Sequence, residues 1–219
     1  MPALIAFDLD GTLIDSRRDL ADAANALIAE LGGEPLSEDA IGSMVGEGAA
    51  VLVRRALRAA RVLEPPDAVA RFLALYDTRL LNHTRLYDGI IDAVHAARER
   101  ALVIVFTNKP TRPSERILEG LGVRRLFADV IGGDNPYGRK PDPAALLALM
   151  KRDRVAPEHA LMVGDSAIDH ETSIRAGVRC CLVSFGFGYQ HVSKDKLRAD
   201  DGVAANASEL RELLAKFGS

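Results

Sequence analysis

The chain has 219 residues, of which 48% are hydrophobic and 27% are charged, and its formal net charge is −3. This composition suits a soluble globular protein, and the weak negative charge argues against nucleic acid as the main partner. No apolar run is long enough to cross a membrane, and the N-terminus lacks a basic segment followed by an apolar signal core. Cys180 and Cys181 are adjacent within an apolar run, which predicts buried thiols and a cytoplasmic protein.

Apolar spacing predicts one strand near the N-terminus, followed by four helices. The apolar run over residues 3–7 predicts a buried strand. Ser16 and Asp19 are spaced like a capping box, and the helix that they open ends at the glycine pair 32–33. Ser37 can cap a second short helix, a third spans about residues 49–63, and a fourth has apolar residues on one face between Val69 and Leu80. No strand is predicted in this helical region.

From about residue 88 the pattern changes to short apolar strands that alternate with helices. Strands are predicted at 102–106, 129–131, 160–163 and 180–185, with helices near Ile90, around Leu118, at 143–152 and at 169–176. A final amphipathic helix is predicted from Ser208, with Phe217 on its apolar face. Continuous apolar strands separated by helices indicate a parallel sheet covered on both faces. The sequence therefore predicts an α/β core that is interrupted by a helical insert.

Polar residues follow several of the predicted strands. Asp8 and Asp10 come directly after the first strand and are two residues apart, so their side chains point the same way. Two adjacent carboxylates repel each other unless a cation or a shared proton lies between them. A parallel sheet would gather the other candidates at the same edge: Thr107, Asn108, Lys140, Asp165 and Asp169. Carboxylates, a lysine and a hydroxyl together can hold a divalent cation and a phosphate.

Each of these residues also has a purely structural interpretation. The first motif occurs in calcium loops and turns, although the residues after it do not continue a calcium loop. Thr107 and Asn108 are typical of a helix cap, and Asp169 could cap the following helix. A lysine such as Lys140 is usually solvated, and the segment 164–166 could be an ordinary turn. What favours a functional site is the joint order and position of the residues.

Four motifs, in this order, resemble those of the haloacid dehalogenase superfamily of phosphotransferases. They are Asp-Leu-Asp-Gly-Thr-Leu at 8–13, Thr-Asn-Lys-Pro at 107–110, Lys-Pro-Asp-Pro at 140–143 and Gly-Asp-Ser-x-x-Asp at 164–169. The resemblance implies a Rossmann-like three-layer core with a parallel sheet and an inserted all-helical cap domain. It places the core at residues 1–15 and 85–219 and the cap at 16–84. The insert, with the segment 45–57, is similar to the phosphoglycolate phosphatase branch.

The resemblance also implies a phosphatase mechanism with Mg²⁺ as the cofactor. Asp8 is expected to be the nucleophile and to form an aspartyl-phosphate. Asp10 is expected to protonate the leaving alkoxide and then to activate the hydrolytic water. The expected Mg²⁺ ligands are the carboxylates of Asp8 and Asp165 and the backbone carbonyl of Asp10.

The remaining motif residues are expected to bind the phosphate group. Thr107, the Asn108 backbone and Lys140 are expected to hold its equatorial oxygens. Asp169 is expected to support the metal site or to orient Lys140. The substrate would be a small phosphorylated metabolite, 2-phosphoglycolate by the resemblance, and closure of the cap would exclude bulk water. The oligomeric state is open between monomer and homodimer.

Other reactions remain as alternatives. Dehalogenases of the family lack a carboxylate at the position of Asp10, so its presence favours phosphoryl chemistry. Mutases usually carry a histidine shortly after the first motif, and residues 14–24 contain none. A pyrophosphatase or another small phosphate-ester hydrolase would use the same core. A phospho-accepting signalling domain also combines acidic residues, threonine and lysine, but such domains are shorter and lack a cap.

Two further sets of residues are predicted to lie on the surface. The histidines show no metal-ligand spacing and are predicted to be surface or capping residues: His83, His95, His159, His170 and His191. Four arginines make one side of a cap helix basic: Arg54, Arg55, Arg58 and Arg61. A solvated face is the simpler interpretation of this side, and steering of anionic substrates is the alternative.

Overall fold

A computed structural model describes residues 2–217 of the chain. The strands among these residues are β1 (Leu4–Phe7), β2 (Ile14–Asp15), β3 (Arg85–Leu86), β4 (Leu102–Phe106), β5 (Asp129–Ile131), β6 (Ala160–Gly164), β7 (Arg179–Val183) and β8 (Gly202–Ala204). The α-helices are α1 (Arg17–Glu30), α2 (Glu38–Gly42), α3 (Ala49–Ala59), α4 (Ala68–Asp77), α5 (Ile90–Arg98), α6 (Thr111–Gly120), α7 (Ala144–Asp153), α8 (Ala167–Ala176) and α9 (Ala207–Ala215). Six strands form a parallel sheet in the order β5-β4-β1-β6-β7-β8. The predicted α/β fold is therefore confirmed.

The first strand, β1, lies in the centre of the sheet between β4 and β6, and all four of its residues are fully buried. Successive side chains of a strand point to opposite faces. Ile5 and Phe7 belong to an apolar cluster that includes residues of α5, α6 and α9, whereas Leu4 and Ala6 pack with residues of α7 and α8. The sheet is thus covered by helices on both faces, and β1 leads directly to Asp8 at its carboxyl end.

The helical insert consists of α1 to α4, as predicted, and is flanked by two short strands that were not predicted. The strands β2 and β3 pair antiparallel, with Ile14 opposite Leu86 and Asp15 opposite Arg85. They are the two passages of the chain between the sheet and the insert. A strand of two residues carries no periodic apolar signal, which explains why sequence patterning missed both.

The third helix of the insert is shorter than predicted. Helix α3 ends at Ala59, not near residue 63. Arg61 adopts a left-handed conformation with φ of 57°, and the Val62 N–H donates to the Leu57 carbonyl across this turn. Leu63 consequently lies outside the helix with 92% of its surface exposed.

The predicted capping box of α1 is wrong. Ser16 occupies the N-cap position, but its side chain makes no capping hydrogen bond. Asp19 is fully buried, and its carboxylate accepts hydrogen bonds from the backbone N–H groups of His83 and Thr84 and from the Thr84 hydroxyl. Asp19 therefore ties the first turn of α1 to the segment that precedes β3, a contact between residues distant in sequence.

The C-terminal part of the sheet differs in detail from the prediction. Strand β7 begins and ends earlier than predicted. Strand β8 was missed because Gly202–Ala204 has only three residues, too few to show a periodic apolar pattern.

The prediction that His170 is a surface or capping residue is also wrong. Its side chain is buried and its Nε2 atom lies 2.8 Å from an oxygen of Asp201. Within residues 2–217 no helix has the length and apolar character needed to cross a membrane.

Candidate active site

The structure brings all the predicted site residues to the carboxyl edge of the sheet. Residue 8 follows β1, residue 107 follows β4 and residue 165 follows β6, while residue 140 lies in the loop between β5 and α7. The set is largely buried, with Asp10 intermediate: Asp8, Asp10, Thr107, Asn108, Lys140, Asp165 and Asp169. Side chains from opposite ends of the chain therefore meet because neighbouring parallel strands end at one edge.

Lys140 lies between two carboxylates. Its Nζ atom is 2.9 Å from Asp8 Oδ1 and 2.6 Å from Asp169 Oδ1. Burial would lower the pKa of Lys140, but the charges of Asp169 and Asp8 raise it above its ordinary value, so the side chain is a cation. The alternative of a solvated lysine is therefore wrong. Burial raises the pKa of Asp8 to about 6, and the nearby Lys140 opposes this rise.

Asp169 positions Lys140 and is held from the other side by its own helix. Ser166 is the N-cap of α8, and its N–H and hydroxyl both donate to Asp169 Oδ2, at 3.1 and 2.6 Å. The interpretation of Asp169 as the helix N-cap is thus wrong, because it is the third helical residue of a capping box. With both oxygens engaged, Asp169 fixes the direction in which Lys140 points.

A cluster of three carboxylates could bind a metal ion. Ligand oxygens of Asp8, Asp165 and Asp169 lie within 4.8 Å of one another. Burial, together with the charges of Asp169 and Asp8, raises the pKa of Asp165 well above its ordinary value. Asp165 Oδ2 accepts from the Gly188 N–H at 2.7 Å, and Asp8 Oδ1 accepts from Leu9 N–H and Lys140. Among the described residues, none donates to the second oxygen of either Asp8 or Asp165.

The close packing around Asp165 depends on one glycine. Gly11 has φ of +85°, a conformation that L-residues rarely adopt. A Cβ atom at this position would lie 2.1 Å from Asp165 Oδ2, which is far closer than a van der Waals contact. The glycine of the first motif therefore allows the chain to pass directly against Asp165.

Thr107 and Asn108 do not cap helix α6. Its N-cap residue is Pro110, and the Thr111 N–H instead donates to Asp134. The Asn108 side-chain amide donates to the carbonyls of Gly46, at 2.8 Å, and Lys140, at 2.9 Å. Asn108 therefore joins the lysine loop of the core to the loop before α3 in the insert.

Lys109 belongs to the site, although sequence reasoning assigned it no role. Its Nζ atom lies 3.0 and 2.8 Å from the two carboxylate oxygens of Asp10 and 4.6 Å from the ring centroid of Tyr76 in α4. The Ser16 hydroxyl donates to Asp10 Oδ1 at 2.6 Å, so Asp10 is held from two directions. The only sequence signal was that Lys109 lies inside the second of the four motifs.

A cavity separates this edge of the sheet from the helical insert. It has about 660 Å³ of empty space, part of it open to solvent. Asp8, Asp10 and Asp165 line its floor, and its wall on the side of the insert includes Leu52 and Phe72. The cavity thus has a charged floor and a largely apolar roof.

A second group that could hold a metal ion lies elsewhere and consists of Asp19, Asp22 and His83. The Asp19 carboxylate in this group already accepts the hydrogen bonds described above.

Comparison with known proteins places this site in a family. Residues 5–183 match the family model described as haloacid dehalogenase-like hydrolase. A phosphoglycolate phosphatase of Rhodospirillum rubrum is 42% identical over 202 residues, which cover 88% of this chain and 84% of that protein. One of Cereibacter sphaeroides is 38% identical over 99% of both chains. The crystal structure of a predicted phosphoglycolate phosphatase from Haemophilus somnus, 28% identical, superposes with a TM-score of 0.87 over 97% of both chains. The chain belongs to the haloacid dehalogenase-like hydrolase family.

Proposed function

We propose that the protein is a Mg²⁺-dependent phosphatase that hydrolyses 2-phosphoglycolate, a small phosphate monoester, through an aspartyl-phosphate on Asp8. The observation that carries this proposal is the position of Asp8 next to two groups. Lys140 Nζ lies 2.9 Å from Asp8 Oδ1, and a carboxylate oxygen of Asp165 lies within 4.8 Å of one of Asp8. A nucleophile, a cation for the phosphate and a metal-binding carboxylate thus meet within one buried edge. The names of the relatives described above support the choice of substrate.

The proposed reaction has two steps. In the first, Asp8 Oδ2, the oxygen that accepts no hydrogen bond from the described residues, attacks phosphorus while the bond to the leaving alkoxide breaks. Asp10, held by Ser16 and Lys109, gives its proton to that alkoxide. In the second step Asp10 takes a proton from water, which attacks the phosphorus of the aspartyl-phosphate, and Asp8 is released with free phosphate.

The phosphate oxygens would be held by groups that are already in place. Lys140 Nζ lies within hydrogen-bond distance of Asp8, so it can neutralise charge on a phosphate transferred to that residue. We assign the hydroxyl of Thr107 and the backbone N–H of Asn108 to the remaining oxygens. Because Asp169 fixes Lys140, these contacts require little rearrangement.

The residues present fit a Mg²⁺ ion. Mg²⁺ prefers carboxylate and carbonyl oxygens, and carboxylate oxygens of Asp8 and Asp165 lie within 4.8 Å of each other. Asp165 also keeps one oxygen that accepts no hydrogen bond from described residues. Burial is the main cause of the raised pKa values of Asp8 and Asp165, and the charges of neighbouring carboxylates add to it. We assign the carboxylates of Asp8 and Asp165 and the carbonyl of Asp10 as ligands. When bound, the ion would offset repulsion between the phosphate and the nucleophile.

We further propose that the fold divides into a core, residues 1–15 and 85–219, and a cap, residues 16–84. The antiparallel pair β2–β3 lies at the boundary between these segments and suits a hinge. Closure of the cap would keep bulk water from the aspartyl-phosphate. We place the protein in the cytoplasm, which the free, buried thiols of Cys180 and Cys181 support.

The experiment that tests this proposal is a phosphate-release assay with Mg²⁺ over several esters. The substrates are 2-phosphoglycolate, pyrophosphate, hexose phosphates and p-nitrophenyl phosphate, and the enzymes are the wild type and Asp8→Asn. Asp22→Asn, an exposed carboxylate of α1, is the matched control. We expect turnover to be highest with 2-phosphoglycolate, to vanish in Asp8→Asn and to persist in the control. Faster release from pyrophosphate would identify pyrophosphate, and not 2-phosphoglycolate, as the substrate. Absence of phosphate release from every substrate would contradict the proposal.

A further inference from the structure

The cavity is lined by two polar groups to which the proposed reaction steps give no substrate contact: Lys109 on the side of the core and Tyr76 of α4 on the side of the insert. We propose that Lys109 and Tyr76 recognise the leaving group, and that they select esters whose leaving alcohol carries a carboxylate next to the ester carbon. This inference rests on the proposed function, because it assigns the substrate class of the same site to two named residues.

The distribution of charge in the cavity identifies Lys109 as the anion-binding group. Among the described residues that line the cavity, the charged ones are Asp8, Asp10, Asp165 and Lys109. Lys140 lies at the floor, where Asp8 and Asp169 engage it. An anionic leaving group would therefore meet three carboxylates and one cation, so a stable complex requires contact with Lys109.

The position of Lys109 agrees with this role. Asp10 must reach the leaving oxygen in order to protonate it. Lys109 Nζ lies within 3.0 Å of both Asp10 oxygens, so it is next to the place where the leaving oxygen must be. In 2-phosphoglycolate the carboxylate carbon is separated from the ester oxygen by a single methylene group. The carboxylate therefore falls beside Lys109 when the ester oxygen contacts Asp10, and an ammonium group has three donors to share.

Tyr76 supplies an independent observation. It lines the cavity from α4, is 2% exposed, and its hydroxyl makes no hydrogen bond within 3.5 Å to a described residue, although the charge of Lys109 acts on it. Its ring stacks on Phe72, with the centroids 5.9 Å apart, and contacts Lys109 on its face. A buried hydroxyl without a partner costs free energy that a bound acceptor would recover. The unpartnered hydroxyl beside the cation is the second donor that a carboxylate needs.

The rest of the roof limits what else can bind. Leu20, Leu52 and Phe72 line it and are buried. Apolar walls leave the hydroxyl groups of a sugar phosphate without partners, which disfavours polyol leaving groups. The cavity therefore suits a short leaving group with one carboxylate at the end near Lys109.

The test compares two substrates that differ only in the carboxylate. Steady-state kinetics with Mg²⁺ are measured for 2-phosphoglycolate and for ethyl phosphate, in which a methyl group replaces the carboxylate. The variants are Lys109→Met, which removes the cation, and Tyr76→Phe, which removes only the hydroxyl. Lys151→Met, an exposed lysine of α7, is the matched control.

The expected result is a loss of discrimination. Because a hydrogen bond to a charged group contributes about 1.5–3 kcal/mol, Lys109→Met should lower the preference for 2-phosphoglycolate over ethyl phosphate, as a ratio of kcat/KM, roughly 10- to 100-fold. Tyr76→Phe should lower it several-fold, mainly through KM, and the control should leave it unchanged. An equal loss for both substrates would overturn the inference, because Lys109 would then act only through Asp10.

A binding measurement keeps the inference separate from the proposed function. Titration calorimetry with Mg²⁺ compares phosphonopropanoate, a stable analogue of 2-phosphoglycolate, with propylphosphonate, which lacks the carboxylate. Tighter binding of phosphonopropanoate to the wild type, lost in Lys109→Met, supports the inference even if no ester is hydrolysed. Equal affinity of the wild type for the two analogues would overturn the inference even if 2-phosphoglycolate is a substrate.

Discussion

Replacing Asp8, the proposed nucleophile, should make the metal-free protein more stable. Burial raises the pKa of Asp8 from its ordinary value of 3.8 to about 6, so the folded state holds an ionised carboxylate at a cost when the pH is above 6. A shift of about two pKa units corresponds to about 3 kcal/mol. Asp8→Asn mimics the protonated carboxyl group, and we expect it to raise the free energy of unfolding by that amount at pH 7.5 without metal.

The pH dependence of this difference follows from the sign of the shift. A group whose folded pKa is raised contributes stability below its unfolded pKa and loses it as the pH rises through the folded value. The wild type should therefore lose stability relative to Asp8→Asn between about pH 4 and pH 6, and the difference should be constant above pH 7. Urea unfolding in EDTA at pH 4.5, 6 and 7.5 measures it, with Asp22→Asn as the control.

Mg²⁺ provides a second arm of the same experiment. A ligand that binds only the folded state stabilises it, so Mg²⁺ should stabilise the wild type and stabilise Asp8→Asn much less. A stability difference that does not change with pH, or an Asp8→Asn variant less stable than the wild type at pH 7.5, would refute the reasoning. Either result would mean that Lys140 compensates the Asp8 charge completely.

Three further substitutions test other contacts. Ser16→Ala removes the hydroxyl that donates to Asp10, so kcat should fall about 10-fold in steady-state assays, with KM nearly unchanged. Asp19→Asn disturbs the hydrogen bonds to Thr84 and the neighbouring backbone, and urea unfolding should show a loss of about 2 kcal/mol. Gly11→Ala places a Cβ against the Asp165 carboxylate, and calorimetry should show Mg²⁺ affinity reduced by about 10- to 100-fold.

Two of these substitutions, Ser16→Ala and Gly11→Ala, have a matched control in the chain. Ser43→Ala removes an exposed hydroxyl of the insert and should leave kcat unchanged. Gly32→Ala has a similarly positive φ of 78° but no atom within 4 Å of its Cβ, so it should strain the backbone without affecting Mg²⁺. Equal effects of Gly11→Ala and Gly32→Ala on Mg²⁺ binding would contradict the steric argument.

The sequence was most informative where local patterns repeat. Uninterrupted apolar runs predicted β1 and β4, because a strand buried on both faces cannot tolerate polar residues. Short elements without such a pattern were missed, including β2, β3 and β8. The helix cap expected at Ser16 was wrong because its hydroxyl has a better partner in Asp10, six residues earlier. Local propensity cannot anticipate a partner supplied by the tertiary fold.

The same division applies to the site. The order of the four motifs, and their positions after predicted strands, were enough to nominate the residues that meet at the sheet edge, because parallel strands end together. The roles of two side chains depended on long-range contacts. Lys109 reaches Asp10 across 99 residues, and buried His170 pairs with Asp201. Both contacts need the sheet order to be in place before the groups are neighbours.

The sequence by itself determined the fold class, the nominated nucleophile and the family of motifs, since apolar periodicity and motif spacing are properties of the chain. Only the tertiary structure decided which carboxylate each lysine contacts and which oxygens remain without a hydrogen bond. It also revealed the unpartnered hydroxyl of Tyr76 over the charged floor. The physical reason is that electrostatic and hydrogen-bond partners are set by distances of a few ångströms between segments far apart in sequence.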